Sequence, residues 1–188
     1  MKPKARNQLV NVHVVLATFF LPIAVMFLVT GGLYTIAIKG SYKSTTHPVV
    51  LKEPLPSELG ALVSMAEGEL ARLGIEPPTG GAGLRKAGTS QELEWTGANR
   101  DVSLRPTADP LVAELVVKDT TAYRRLVQLH KAKGSAVGKA ISVAWAVALM
   151  AMLVSGASIA WGSPKHRRLA MISSASGVLL FVAYVAIG

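Results

Sequence analysis

Three long runs without a charged residue limit what this 188-residue chain can fold into. They cover 14–38, 140–164 and 169–188, and each contains at least 20 residues. Because the apolar core of a bilayer is about 30 Å thick and needs roughly 20 apolar residues of α-helix, each run is long enough to cross it. The mean hydropathy of +0.40 and the charged fraction of 16% agree with this interpretation. We therefore predict transmembrane helices at 12–38, 137–162 and 169–188.

The positive charges beside these runs predict the orientation of the helices. Three basic residues and no acid precede the first run, and three more lie in the loop 163–168 between the second and third. The segment 40–136 is nearly balanced, with 12 basic and 11 acidic residues. Since basic loops stay in the cytoplasm, 1–11 and 163–168 are expected there and 39–136 in the periplasm of a bacterium. The expected location is the inner membrane.

An uncleaved first helix is favoured over a signal peptide. The charge-free run 14–38 has 25 residues, whereas the apolar region of a signal peptide has roughly 7–15. No cleavage site of small residues follows it, because the sequence TIAIKG has bulky residues in the required places. We expect the N-terminus of the chain to remain in the cytoplasm.

The segment between the first two spans predicts a small α+β domain. Apolar residues recur every three or four positions from Leu55 to Leu73, which is typical of an amphipathic helix that ends at Gly74. Stretches with alternating apolar residues follow, in ELEWTG, DVSLRP and LVAELVV, and TGANRD indicates a hairpin turn. We expect three or four antiparallel strands with this helix on one face. A further helix should start at about Thr121, break near Gly134 and continue into the second span.

Charge and composition exclude several classes of function. The net charge of +9 follows the loops and does not form a basic face interleaved with aromatic residues, so no nucleic-acid partner is expected. The chain has no cysteine, which excludes disulfides, thiolate metal sites and covalently attached haem. The sequence has no metal-ligand motif and no serine–histidine–acid pattern, so we expect neither a metal site nor an enzyme.

Small residues within the spans predict close packing of helices. In lipid the hydrophobic effect does not hold helices together, and small residues let two backbones approach closely. The candidates, two in each span, are Gly31, Gly32, Ser155, Gly156, Ser173 and Gly177. We expect the second and third spans to form a tight hairpin. A bundle of three helices also leaves much apolar surface, so the expected partners are membrane lipid, other membrane subunits or a second copy.

The four histidines are the residues most suited to chemistry. His13 and His166 lie near the predicted cytoplasmic face, and His47 and His130 near the outer face. Imidazole is an axial ligand of haem iron, and only His13 and His130 fall in predicted helices. These two would lie roughly 30 Å apart across the hydrocarbon core, so one chain supplies no pair. Two interpretations stay open: interfacial anchoring without a cofactor, or ligation of haem b within an assembly.

Short motifs in the first two spans resemble a known family. The second span has the form LH-x-x-KG, then SG and P-x-x-R, and the first has a histidine followed by TGGLY. The residues are His13 and Thr30–Tyr34 in the first span, and Leu129, His130, Lys133, Gly134, Ser155, Gly156, Pro164 and Arg167 around the second. This pattern resembles the PepSY-associated transmembrane proteins, whose helices begin with a histidine and end in a Thr/Ser-Gly step. The outer segment is similar to a PepSY domain.

The resemblance implies a set of functions. Many members have four or more spans, whereas three are predicted here, and the strand-end motif D-x-x-T-G is replaced by VVKDTTAY. Soluble relatives of the family imply peptidase inhibition, and some long members are haem-bearing ferric reductases of iron uptake. We expect a non-catalytic accessory or partner-binding subunit of a membrane complex, for example a redox or iron-uptake system. The alternative is a b-type haem protein for transmembrane electron transfer, or a ferric reductase component.

Overall fold

The computed structural model describes residues 3–88 and 90–187. Over these residues the chain forms five α-helices and five β-strands. The helices are α1 (Pro3–Thr35), α2 (Leu59–Arg72), α3 (Ala122–His130), α4 (Ala136–Trp161) and α5 (Arg167–Ile187). The strands are β1 (Tyr42–Val50), β2 (Ala82–Ala87), β3 (Ser90–Thr96), β4 (Arg100–Pro106) and β5 (Val112–Thr120). The chain therefore combines long helices with an antiparallel sheet, as expected for a membrane α+β protein.

Three of the helices are long and apolar enough to cross a membrane, and this indicates membrane association. Each of α1, α4 and α5 is longer than 18 residues and contains an apolar stretch of that length with at most two charged residues. At a rise of about 1.5 Å per residue, α1 is about 50 Å long and exceeds a hydrocarbon core of about 30 Å. Its first turns, which carry Lys4 and Arg6, extend the helix beyond the predicted start at residue 12.

The sheet has the strand order β1-β5-β4-β3-β2, and all neighbours are antiparallel. The four strands from β2 to β5 form a meander. The strand β1, which precedes α2 in the chain, pairs with the outer edge of β5. The predicted turn in TGANRD lies between β3 and β4, where Thr96 is paired with Asp101. One helix and an antiparallel sheet thus form two layers, with five strands where three or four were expected.

The core of this domain lies between α2 and one face of the sheet. Leu62, Ala66 and Leu70 of α2 are buried at the three/four spacing that the sequence shows. They pack in one cluster with alternate residues of the strands, and Leu104 and Leu115 of neighbouring strands are fully buried. The helix begins at Leu59, and it ends before Gly74, which has a left-handed φ of 67°.

Two strands were not predicted, and both lie at edges of the sheet. The sequence of β1, YKSTTHPVV, has no regular alternation, because only its end carries a buried apolar residue, Val49. Proline is tolerated at an edge strand, and Pro48 pairs with Glu114 there. The other strand, β2, reads AGLRKA and has a single large apolar residue. Each edge strand is therefore ordered by backbone hydrogen bonds to a neighbouring strand whose apolar residues alternate.

The helices and the sheet divide into two compact units. One contains α1 as far as Ala24 and the chain from Val143 on, and the other is Val25–Ser142. The second unit holds the whole α+β domain together with the end of α1 and the start of α4. The predicted interruption near Gly134 is present, because α3 ends at His130 and α4 starts at Ala136.

The expected hairpin between the second and third spans is not formed by the small residues. No residue of α5 is buried, and a Cβ placed at Gly177 would meet no atom within 4 Å. Ser173 is exposed as well. The Ser155–Gly156 step of α4 instead faces α1, because Ser155 forms a hydrogen bond with His13 of that helix. A packing role for Ser173 and Gly177 stays a prediction about contacts with lipid or another chain.

Candidate functional site

His130 lies at the C-terminal end of α3 and contacts α1. Its Nδ1 is 2.7 Å from the hydroxyl of Thr30, a residue that is only 2% exposed. Its ring stacks on Phe27, with 4.4 Å between the ring centroids. A Cβ placed at Gly31 would lie 3.3 Å from Cε1 of His130, so the absence of a side chain at this position admits the imidazole. Thus the Thr30–Gly31 step of α1 receives the histidine of another helix.

His13 has the same arrangement within the other compact unit. Its Nδ1 is 2.8 Å from the hydroxyl of Ser155 in α4, and Ser155 is 5% exposed. A Cβ placed at Gly156 would lie 3.5 Å from Cε1 of His13. The Ser155–Gly156 step therefore receives His13 as the Thr30–Gly31 step receives His130. Each histidine thus contacts a hydroxyl-bearing residue that is followed by glycine, which we call a hydroxyl-glycine step. The two histidines lie in different units.

The two hydroxyls that contact the imidazoles also form bonds within their own helices. Ser155 donates its own hydrogen to the carbonyl of Met152, and Thr30 donates to the carbonyl of Met26. Each hydroxyl also lies within hydrogen-bond distance of a histidine Nδ1, and the tautomer of the ring decides which of the two groups donates. A partner on one ring nitrogen is also a feature of metal-ligating histidines.

The space beside His130 does not fit a haem within one chain. The cavity that its ring lines has a volume of about 230 Å³, and Thr30, Tyr34 and Val127 also line it. Sites for drug-sized ligands start at roughly 300 Å³. Imidazole is a ligand type that haem iron accepts, whereas the size of the cavity beside His130 does not suit a macrocycle.

The other two histidines lie elsewhere. His47 is in the edge strand β1, opposite Leu115 of β5, and is half-buried on the side of the sheet that carries the core. His166 is exposed immediately before α5, in the loop between α4 and that helix. Neither takes part in a hydroxyl-glycine arrangement. Gly32, next to Gly31, faces open space and would meet no atom within 4 Å if it carried a Cβ.

A polar network that the sequence analysis missed joins α3 to the sheet. The Tyr42 hydroxyl donates to Asp101 Oδ2 over 2.7 Å and accepts from Arg124 and Gln128. Gln128 is 0% exposed, and its Nε2 also donates to the Asp101 carboxylate. Gly97 N–H donates to the other carboxylate oxygen, Oδ1. Arg124 and Gln128 are four residues apart on one helical face, a polar pair that could have indicated this contact.

The Tyr42 phenol is affected by this network. Burial raises its pKa above the ordinary value, and the hydrogen bond to Asp101 raises it further, since both favour the neutral form. The guanidinium of Arg124 acts in the opposite direction. It lies 4.7 Å from the centroid of the Tyr42 ring and donates a hydrogen bond to the hydroxyl. The phenol is therefore held as a hydrogen-bond donor to Asp101.

The start of α3 also holds the linker that follows α1. Thr121 caps α3, because its hydroxyl accepts from the Arg124 N–H, and it donates to the carbonyl of Ser41. Tyr123 donates to the carbonyl of Ile38, and Arg124 donates to that of Lys39. Gly40, with a φ of 71°, lies so close that a Cβ would be 2.9 Å from the Arg124 nitrogen. We call the segment Ile38–Ser41 with its α3 partners the linker clamp.

The face of the sheet opposite α2 forms a charged cleft of about 260 Å³ beside the network. Glu92 lies between Arg85 at 3.8 Å and Arg105 at 3.6 Å. Lys118 and Lys133 also line the cleft, and neither has a carboxylate within 4 Å among the residues that the structure describes. The cleft therefore has an excess of positive charge.

Comparison with known proteins assigns no family to this arrangement. The chain matches no protein-family model, no curated protein sequence and no solved structure.

Proposed function

We propose that the chain is an accessory, partner-binding subunit of a membrane complex, anchored by three transmembrane helices in a bacterial inner membrane. The observation that carries the proposal is the single compact unit Val25–Ser142, which contains the outer domain and the adjoining ends of α1 and α4. The linker clamp and the His130–Thr30 bond both lie in this unit. A domain coupled in this way is suited to transmit an external contact to helices in the membrane.

Two surfaces are suited to the partner. The helix α5 has 21 residues with an apolar composition and no burial, so lipid or a partner helix covers it in a bilayer. The charged cleft on the sheet is suited to an acidic region of a partner outside the membrane, because its cations outnumber its acids. We further propose that the domain is PepSY-like. The motifs around both histidines and the helix-covered antiparallel sheet support this assignment.

Single cysteines test the topology, because the natural chain has none. We expect Lys52→Cys, an exposed residue of the outer domain, to react with a membrane-impermeant maleimide in intact cells. Lys165→Cys, in the short basic loop before α5, should react only after the membrane is permeabilised. Labelling would be measured by the mass shift of the purified protein. Equal labelling of both variants in intact cells would contradict the proposed topology.

The mass of the protein extracted in a mild detergent tests the proposed assembly. We expect a protein mass, by light scattering, of at least twice the 19.8 kDa of one chain. Gly177→Leu should reduce that mass if the small face of α5 packs on a neighbouring helix. The matched control is Leu179→Phe, which adds volume on the opposite side of α5. A wild-type mass of 19.8 kDa would exclude a stable complex.

A haem b protein is the second candidate function. What favours it is that His13 and His130 each have a hydroxyl partner at Nδ1, since a partner on one ring nitrogen orients histidines that ligate metals. The small cavity beside His130 means that a second chain or subunit would have to complete the site. We expect the protein purified from its native membrane to be colourless. A Soret absorbance band that is lost in His13→Ala or His130→Ala would replace the first proposal by this one.

A further inference from the structure

Two lysines from different elements converge on one aromatic ring where α1 ends. The ammonium nitrogen of Lys39 is 5.2 Å from the centroid of the Tyr34 ring, and that of Lys131 is 5.6 Å from the same point. Neither lysine has a carboxylate within 4 Å in the part of the chain that the structure describes. Two like charges near one ring repel each other, and an anion that lies near both offsets this repulsion.

The backbone holds both lysines in place. The linker clamp fixes Lys39, because its carbonyl accepts from Arg124 and the preceding carbonyl of Ile38 accepts from Tyr123. Lys131 is the C-cap of α3, and its N–H donates to the carbonyl of Val127. The long-range bonds of the linker clamp thus bring the backbone of Lys39 to α3, the helix that Lys131 ends.

The chain turns sharply beside each lysine. Ala37, with a φ of 66°, follows α1, and Ala132, with a φ of 53°, follows α3. The N–H of Ala37 donates to the carbonyl of Tyr34, and that of Ala132 donates to the carbonyl of Leu129, so each residue closes the last turn of its helix. These turns set the direction of the backbone at the two lysines.

An apolar cavity lies beside Lys131 and the Tyr34 ring. It has a volume of about 230 Å³ and is lined by Thr30, Gly31, Tyr34, Val127, His130 and Lys131. Thr30 and Gly31 lie in the last two turns of α1, the helix that we propose to cross the membrane. An amphiphilic ligand could therefore place its charged group between the lysines and its apolar part along α1.

We infer that Lys39, Lys131 and Tyr34 form a site for the phosphate group of an anionic phospholipid in the outer leaflet of the membrane. The inference rests on the proposed membrane setting. The two ammonium groups bind the phosphate, the Tyr34 ring supports both of their side chains, and an acyl chain lies against α1. A lipid bound there would join the linker clamp to the end of α3.

Native mass spectrometry of the full chain from mixed micelles tests this site. The probes are phosphatidylglycerol, which is anionic, and phosphatidylcholine, which is zwitterionic. We expect the wild type to retain phosphatidylglycerol preferentially, and the double variant Lys39→Gln with Lys131→Gln to lose at least about tenfold of that preference. The matched control, Lys43→Gln with Lys52→Gln, removes two exposed charges from the same domain and should keep it.

Three outcomes would overturn the inference. The first is an equal lipid preference in the wild type and the Lys39/Lys131 variant. The second is an equal loss in the control, which would indicate diffuse attraction by net charge. The third is displacement of the lipid by soluble glycerol phosphate at equal concentration, which would assign the site to a free phosphate ester. Maleimide labelling of Lys52→Cys and Lys165→Cys reports separately on membrane topology, so failure of the lipid site and failure of the membrane proposal are distinguishable.

Discussion

Replacing Asp101 by alanine is expected to destabilise the outer domain by about 2–4 kcal/mol, because buried donors lose their acceptor. The carboxylate accepts from the Tyr42 hydroxyl, the Gln128 amide and the Gly97 N–H. Gln128 is fully buried, so water does not replace the lost partner without local opening. The same residues hold α3 to the sheet, so the linker clamp should loosen together with the domain.

Hydrogen–deuterium exchange of the full chain in detergent, read by mass spectrometry, measures this effect. We expect faster exchange in α3 and in the hairpin of β3 and β4. By the usual conversion of about 1.4 kcal/mol for each factor of ten, exchange through global opening should accelerate by about 30-fold or more. Glu114→Ala is the control, because Glu114 is an exposed acid of β5. Similar exchange in Asp101→Ala and the wild type would show that the network contributes little.

Replacing Leu115 by alanine should cost about 2–5 kcal/mol, because it leaves a cavity in the core. Leu115 is 0% exposed and packs in the cluster between α2 and the sheet. It also lies in β5, an interior strand that pairs with both β1 and β4, so its loss affects both neighbouring strands. Removing a buried side chain there takes away both the transfer free energy of its atoms and the contacts of its neighbours.

Proteolysis after a short pulse of denaturant would measure the loss in the full chain. We expect the denaturant midpoint for cleavage of the outer domain to fall in Leu115→Ala. The control, Leu111→Ala, changes the same residue type at a position that is 45% exposed, and it should stay within about 1 kcal/mol of the wild type. An equal shift in both variants would contradict the position of the core.

The elements that carry their own periodic pattern could be predicted from the sequence. The charge-free runs predicted the three apolar helices, and the three/four spacing around Leu62 and Leu70 predicted α2. The alternating stretches predicted β3, β4 and β5. The edge strands β1 and β2 could not be found in this way, because their order comes from backbone bonds to β5 and β3 rather than from their own side chains.

In the candidate site, too, the sequence indicated single residues but not their long-range contacts. The sequence singled out His13 and His130, together with the Ser155–Gly156 and Thr30–Gly31 steps, but not which residues would pair. His13 and Ser155 are 142 positions apart, and Thr30 and His130 are 100 positions apart. The network of Tyr42, Asp101 and Gln128 also went unpredicted. Pairing over such separations depends on how helices and strands pack, and local patterns do not carry that information.

The sequence by itself determined that three helices are apolar enough for a bilayer and that a helix and a sheet lie between the first two. Length and periodicity decide these features, because they act over a few neighbouring turns or strand residues. The tertiary structure decided which groups meet: each histidine with its hydroxyl, Asp101 with its donors, and both Lys39 and Lys131 with the Tyr34 ring. These contacts form only after distant segments have packed, since hydrogen bonds and ring contacts require side chains within a few ångströms.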